Sequence, residues 1–130
     1  MKVNELDFRV TNANDLSFEL LVDGSGIEGL EEADNRSIPS WEFETAELPN
    51  YFNHFKKRQE HLLGICSCGH SGCGAAGCVL KKDSSFVYFT NIFIDGLELP
   101  DDYQLVFTRE NYESVMERIQ QEIRRFSQNA

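Results

Sequence analysis

The chain has 130 residues, 41% of them hydrophobic, which is enough to form one compact domain with a buried core. Its formal net charge of -10 predicts repulsion from nucleic acid and from anionic membranes, and attraction to a basic protein partner. The alternative is that the acidic surface serves only to keep the protein soluble. No apolar run approaches the roughly 18 residues that a membrane-spanning helix needs, and residues 1–5 lack the apolar stretch of a signal peptide. We therefore expect a single domain over residues 1–130, located in the cytoplasm.

The N-terminal region has the pattern of an antiparallel hairpin. Apolar side chains alternate with polar ones over residues 6–10, which predicts a half-buried strand. Residues 16–22 predict a second strand, and the Asp23-Gly24 dipeptide that follows is a strong turn signal.

Residues 25–61 have weaker patterns. Residues 40–44 are compatible with a short strand, whereas aromatics at i, i+1 and i+4 followed by basic residues predict a short helix over 51–58. Trp41 is the only tryptophan; we favour a place in the core, with a role at an interface as the alternative. His61 is expected at the surface.

The remaining strands form a predicted meander. Residues 62–68 and 77–82 flank a glycine-rich turn and are expected to pair, and the β-prone residues 86–94 follow after a short turn. Residues 103–107 are a further candidate strand.

A C-terminal helix is indicated by an N-cap residue, Thr108, and by a glutamate, Glu110, in the first turn. Its apolar residues fall on a single stripe that we expect to be buried: Tyr112, Val115, Met116, Ile119, Ile123 and Phe126. The predicted fold is α+β, an antiparallel β-sheet (N-terminal hairpin plus central meander) packed against this helix and one short helix.

All four cysteines lie within residues 66–78, and three interpretations stay open for them. Cys66, Cys68, Cys73 and Cys78, with His70 as an alternative ligand, offer the donors of a tetrahedral zinc site, although the spacing is unusual for one. Free cysteines are also commonly packed as small hydrophobes. A redox role would need a thiol with a depressed pKa, and the sequence has no Cys-x-x-Cys before a helix.

Several sequence features of this chain resemble those of a group of small, largely uncharacterised bacterial proteins. One shared feature is the motif Cys-Ser-Cys-Gly-His-Ser-Gly-Cys at residues 66–73, followed by a strand with an aromatic residue, here the strand with Val87 and Phe89. The others are a Phe-x-x-x-x-Tyr opening of the last helix at residues 107–112 and an early strand and turn at residues 21–24. The resemblance covers roughly residues 16–24 and 62–118. It implies no established activity, so no catalytic residue or cofactor is carried over.

Small acidic bacterial proteins of this kind are similar, by analogy, to antitoxins and immunity proteins. The first functional hypothesis is therefore a non-enzymatic binding protein that neutralises a basic toxin, such as a nuclease, through charge complementarity. Under this hypothesis the acidic loops 23–34 and 95–102 carry the interface, with seven candidate partner-binding residues: Asp23, Glu28, Glu31, Glu32, Asp95, Asp101 and Asp102.

Two other functions compete with this one. The four cysteines would suit a small zinc-binding regulatory or adaptor domain, and a thiol-dependent enzyme or redox protein is the third hypothesis. The sequence presents no catalytic arrangement and requires no cofactor, zinc excepted under the second hypothesis. It leaves the oligomeric state open.

Overall fold

Two antiparallel sheets and one long C-terminal helix form the fold, which confirms the predicted α+β class. The computed structural model describes residues 2–11, 16–27, 37–52, 57–65, 75–94 and 103–128. The predicted hairpin lies in one sheet and the predicted meander in the other.

The first sheet contains the N-terminal hairpin. Its strands are β1 (Leu6–Val10), β2 (Ser17–Val22), β3 (Ser25–Gly26) and β4 (Ile38–Pro39). β2 pairs with β1 in a register that places Leu6 opposite Val22, and it also pairs with β3 and β4. Asp23 and Gly24 both have positive φ, 54° and 85°, as a tight two-residue turn between β2 and β3 requires.

The second sheet is a meander of five consecutive strands, as predicted apart from its first strand. They are β5 (Asn50–Phe52), β6 (Lys57–Ile65), β7 (Ala75–Lys82), β8 (Phe86–Ile94) and β9 (Leu105–Thr108). Each pairs antiparallel with its neighbour in the chain. The bounds of β8 are those predicted, whereas β6 begins five residues earlier than the predicted 62–68.

The short helix predicted over residues 51–58 is wrong. Residues 51–52 belong to β5 and residues 57–58 to β6, and these strands pair with each other, with Phe52 opposite Lys57. Residues 53–56 lie outside the described residues. The Leu62 N–H also donates to the Pro49 carbonyl at 2.7 Å. Pairing along the sheet therefore overrides a helix-like spacing that spans barely two turns.

The strand predicted over residues 40–44 is also wrong, because a 3₁₀-helix spans Ser40–Glu42 directly after β4. In a strand, Trp41 and Phe43 would share a face. The turn separates them: Phe43 is buried edge-on against Phe18, at a centroid distance of 5.7 Å, while Trp41 is 65% exposed. The favoured interpretation of Trp41 as a core residue is wrong.

The C-terminal helix, α1, spans Arg109–Gln128, and Thr108 is its N-cap. The Thr108 hydroxyl accepts a hydrogen bond from the Asn111 N–H at 3.1 Å. Most of the predicted stripe is buried, but Phe126 is 44% exposed because the end of the helix extends past the core. Among the described residues, no helix is long and apolar enough to cross a membrane.

The core draws side chains from both sheets and from α1 into one cluster. Phe18 comes from the first sheet, Phe89 and Phe107 from the second, and Tyr112 from the helix; all four are fully buried. Phe89 lies between Phe107 and Tyr112 in edge-to-face contacts with both. The helix therefore joins the two sheets.

Asn111 attaches α1 to the outer edge of β1. Its side-chain amide accepts a hydrogen bond from the Leu6 N–H at 2.7 Å and donates one to the Leu6 carbonyl at 3.0 Å. The amide thus replaces a neighbouring strand at this edge.

We expect Asn111→Ala to lower the free energy of unfolding by about 1–3 kcal/mol, because both backbone groups of Leu6 lose their partners in a partly buried place. Urea denaturation monitored by circular dichroism measures the loss. Ser114→Ala, on the exposed face of the same helix, is the matched control and should leave stability nearly unchanged. Equal stability of the two variants would contradict the role of the amide.

Candidate binding groove

Of the four candidate zinc ligands, the structure describes Cys78, which lies on β7. Its side chain is fully buried in the core, and burial raises the pKa of the thiol, so the thiolate is disfavoured there. Cys66, Cys68 and Cys73 lie outside the described residues. Within those residues no group of three or more potential ligands is found, and the zinc site stays a prediction.

Asp23 is the one described residue among the seven candidate partner-binding acids. Its carboxylate accepts hydrogen bonds from the Asn4 side chain and from the Glu5 N–H, both at 2.8 Å. These two bonds hold its pKa below the ordinary value. Asp23 therefore attaches the N-terminal segment, through Asn4 and Glu5, to the turn after β2. The other six acids lie outside the described residues: Glu28, Glu31, Glu32, Asp95, Asp101 and Asp102.

An open groove of about 820 Å³ lies between residues 41–49 and the strands β6 and β7. Its volume is in the range of ligand-binding pockets. Its described lining residues include one indole, three carboxylates, one imidazole and one ammonium group: Trp41, Glu42, Glu44, Glu47, His61 and Lys82.

Glu47 is the carboxylate of the groove that has partners within the fold. The Lys82 ammonium donates to both of its oxygens at 2.8 Å, and the Tyr112 hydroxyl donates to one of them at 2.9 Å. Although burial opposes ionisation, these hydrogen bonds hold the pKa of Glu47 below the ordinary value. The same hydroxyl accepts a hydrogen bond from the Leu48 N–H at 3.0 Å, which attaches this side of the groove to α1.

Glu42 and Glu44 differ from Glu47 in having no cationic partner. No side chain in the described part of the chain forms an ion pair or hydrogen bond with either. Burial, and then the nearby charge of Glu44, raise the pKa of Glu42. These two carboxylates thus carry negative charge that no side chain in the described ranges neutralises.

His61 is half-buried rather than at the surface as expected. Its Nδ1 atom is buried and has no hydrogen-bond partner among the described residues. Burial lowers the pKa of the imidazole and Lys82 adds to this, while Glu47 opposes it. The neutral form is therefore favoured, and His61 does not offset the negative charge of the groove near neutral pH.

The arrangement is suited to binding a cation. Exposed Trp41 offers an aromatic face, and Glu42 and Glu44 offer carboxylates without partners. Sequence reasoning missed these two glutamates and Glu47 as site residues. The available signal was a single tryptophan followed by three glutamates within six residues, between Pro39 and Pro49.

Comparisons with protein-family models, with curated proteins and with solved structures find no match for this chain.

Protonation of His61 should make stability depend on pH. Because its folded-state pKa is lowered, the unfolded chain takes up the proton first as the pH falls below about 6.5, so the folded state loses stability there. Glu47, whose pKa is lowered from 4.5, loses its stabilising effect only at more acidic pH.

We therefore expect His61→Phe to flatten the fall in unfolding free energy between about pH 7 and pH 5. The variant should also be more stable than the parent chain at pH 7, since the unpaired Nδ1 is removed. Urea denaturation at a series of pH values tests this. Glu110→Gln, an exposed change on α1, is the control and should retain the parental slope. A parental slope in His61→Phe would contradict the assignment.

Proposed function

We propose that this chain is a non-enzymatic acidic binding protein, an immunity-type inhibitor that neutralises a basic bacterial toxin. The observation that carries the proposal is the exposed Trp41 in an open groove, beside two carboxylates, Glu42 and Glu44, that have no partner among the described residues. Large exposed aromatics surrounded by complementary charge are typical centres of protein interfaces.

The overall charge supports the same function. A net charge of -10 on 130 residues attracts a cationic partner over distances beyond direct contact and accelerates its association. Such steering falls with salt, because the Debye length is about 8 Å at physiological ionic strength. Rapid binding is what an inhibitor needs when its target is toxic to the cell that makes it.

The protonation states near the groove favour binding over nucleophilic catalysis. Burial raises the pKa values of both the Tyr112 hydroxyl and the Cys78 thiol, so neither is activated as a nucleophile. Lys82 is held by Glu47. These side chains support the groove rather than offer reactive atoms to a substrate.

The direct test takes any basic proteins whose genes adjoin the gene of this chain, and expresses each with and without this chain in the same host. We expect one of them to arrest growth alone and to be harmless when co-expressed. The purified pair should associate with a rate constant that falls steeply with added salt. The proposal fails if none of these basic products is neutralised by the chain.

In the same pair, we expect Glu42→Lys with Glu44→Lys to slow association by about tenfold or more at low salt. Stopped-flow mixing at several ionic strengths measures the rate constant. Glu5→Lys with Glu110→Lys changes the net charge equally at two exposed sites outside the groove, and should have a smaller effect. Equal slowing by both variants would show that total charge matters and the groove does not.

A further inference from the structure

The backbone that carries Trp41 is anchored on both sides of the indole. The Ser40 N–H donates to the Leu16 carbonyl at 2.8 Å, and the Phe43 N–H donates to the Ser40 carbonyl at 3.1 Å. The Phe43 side chain is buried against Phe18. The backbone around Trp41 is therefore held by the core while the indole stays exposed. A ligand that binds the ring does not have to order this backbone, which lowers the entropic cost of binding.

The charged groups of the groove differ in whether they have a partner of opposite charge among the described residues. Lys82, the ammonium group among its described lining residues, is already bonded to both oxygens of Glu47 and lies 5.1 Å from the centre of the Tyr112 ring. Glu42 and Glu44 remain without a cation in the described part of the chain. A ligand that neutralises the groove must therefore bring its own positive charge to the side where Trp41 lies.

The chemistry of the site distinguishes between the two basic side chains of proteins. A guanidinium group is planar, stacks on an indole and binds carboxylates through two parallel N–H donors. An ammonium group is compact and strongly hydrated, and offers no flat surface to the ring. An aromatic face with adjacent carboxylates thus fits arginine better than lysine.

From this geometry we infer that the groove receives an arginine side chain of a partner polypeptide, stacked on Trp41 and paired with Glu42 and Glu44. The inference deepens the proposed function and rests on it, because the basic toxin would supply the arginine.

The single tryptophan makes the test direct, since all indole fluorescence of the protein arises in this groove. We would titrate the full chain with three capped peptides, Gly-Arg-Gly-Arg-Gly and its lysine and citrulline counterparts. We expect the arginine peptide to change the Trp41 emission saturably, with a Kd at least about tenfold below that of the lysine peptide. Citrulline has the same shape without the charge and should have no effect. Equal affinities for arginine and lysine, or unchanged emission, would overturn the inference.

Matched variants distinguish binding of the peptide at the groove from attraction by the net charge of the whole protein. Glu42→Gln with Glu44→Gln should weaken binding of the arginine peptide by about tenfold or more. Glu5→Gln with Glu110→Gln has the same net charge and should stay within about twofold of the parent. Trp41→Phe, read by calorimetry, should bind better than Trp41→Ala, because it keeps an aromatic face. Circular dichroism confirms that each variant is folded, and the opposite ranking in either pair counts against the inference.

This inference and the proposed function can fail separately. If a toxin is neutralised while the Trp41 emission in the complex is unchanged, the groove is not the arginine site and the inhibitor function stands. If the arginine peptide binds as expected but no basic product is neutralised, the site is real and the toxin proposal is wrong.

Discussion

The side chain of Tyr112 joins four parts of the structure at one point, and the groove depends on it. From α1 its ring packs edge-on against Phe89 of β8 at 6.3 Å, while its hydroxyl accepts from the Leu48 N–H and donates to Glu47. Lys82 of β7 lies over the same ring. Burial raises the pKa of the hydroxyl, so it stays protonated and keeps donating to the carboxylate. The irregular segment after β4 is thereby held against the helix and the second sheet without pairing as a strand.

The described carboxylates fall into two groups with different consequences. Glu19, Asp23 and Glu47 each have partners inside the fold: Glu19 is buried beside Arg9, Asp23 accepts from two donors of the N-terminal segment, and Glu47 is bound by Lys82 and Tyr112. These contacts stabilise the fold. Glu42 and Glu44 have no such partners among the residues that the structure describes. Their charge is therefore available to an external cation, and this difference connects the fold to the proposed binding of a basic protein.

Elements with a strong local pattern were predicted closely. Strand β8 has the predicted bounds, the hairpin of β1 and β2 has the expected pairing, and α1 begins after its predicted cap at Thr108. Period-two and period-3.6 patterns identify these elements because each side chain's face follows from its position alone. The predicted helix was wrong at residues 51–52 and 57–58, since their pairing depends on contacts along the sheet that an eight-residue pattern does not contain.

The candidate site also combines features that the sequence predicts with features that depend on tertiary contacts. The sequence by itself determined the excess of acids, the concentration of cysteines in one segment, the hairpin, the meander and the amphipathic helix, because these depend on composition and on spacing along the chain. Only the tertiary structure decided that Trp41 is exposed while Phe43 is buried, and that Glu47, unlike Glu42 and Glu44, has a cationic partner in the described part of the chain. The physical reason is that a side chain's partners come from distant elements, here Lys82 and Tyr112, and only the packing of the helix and the two sheets brings them together.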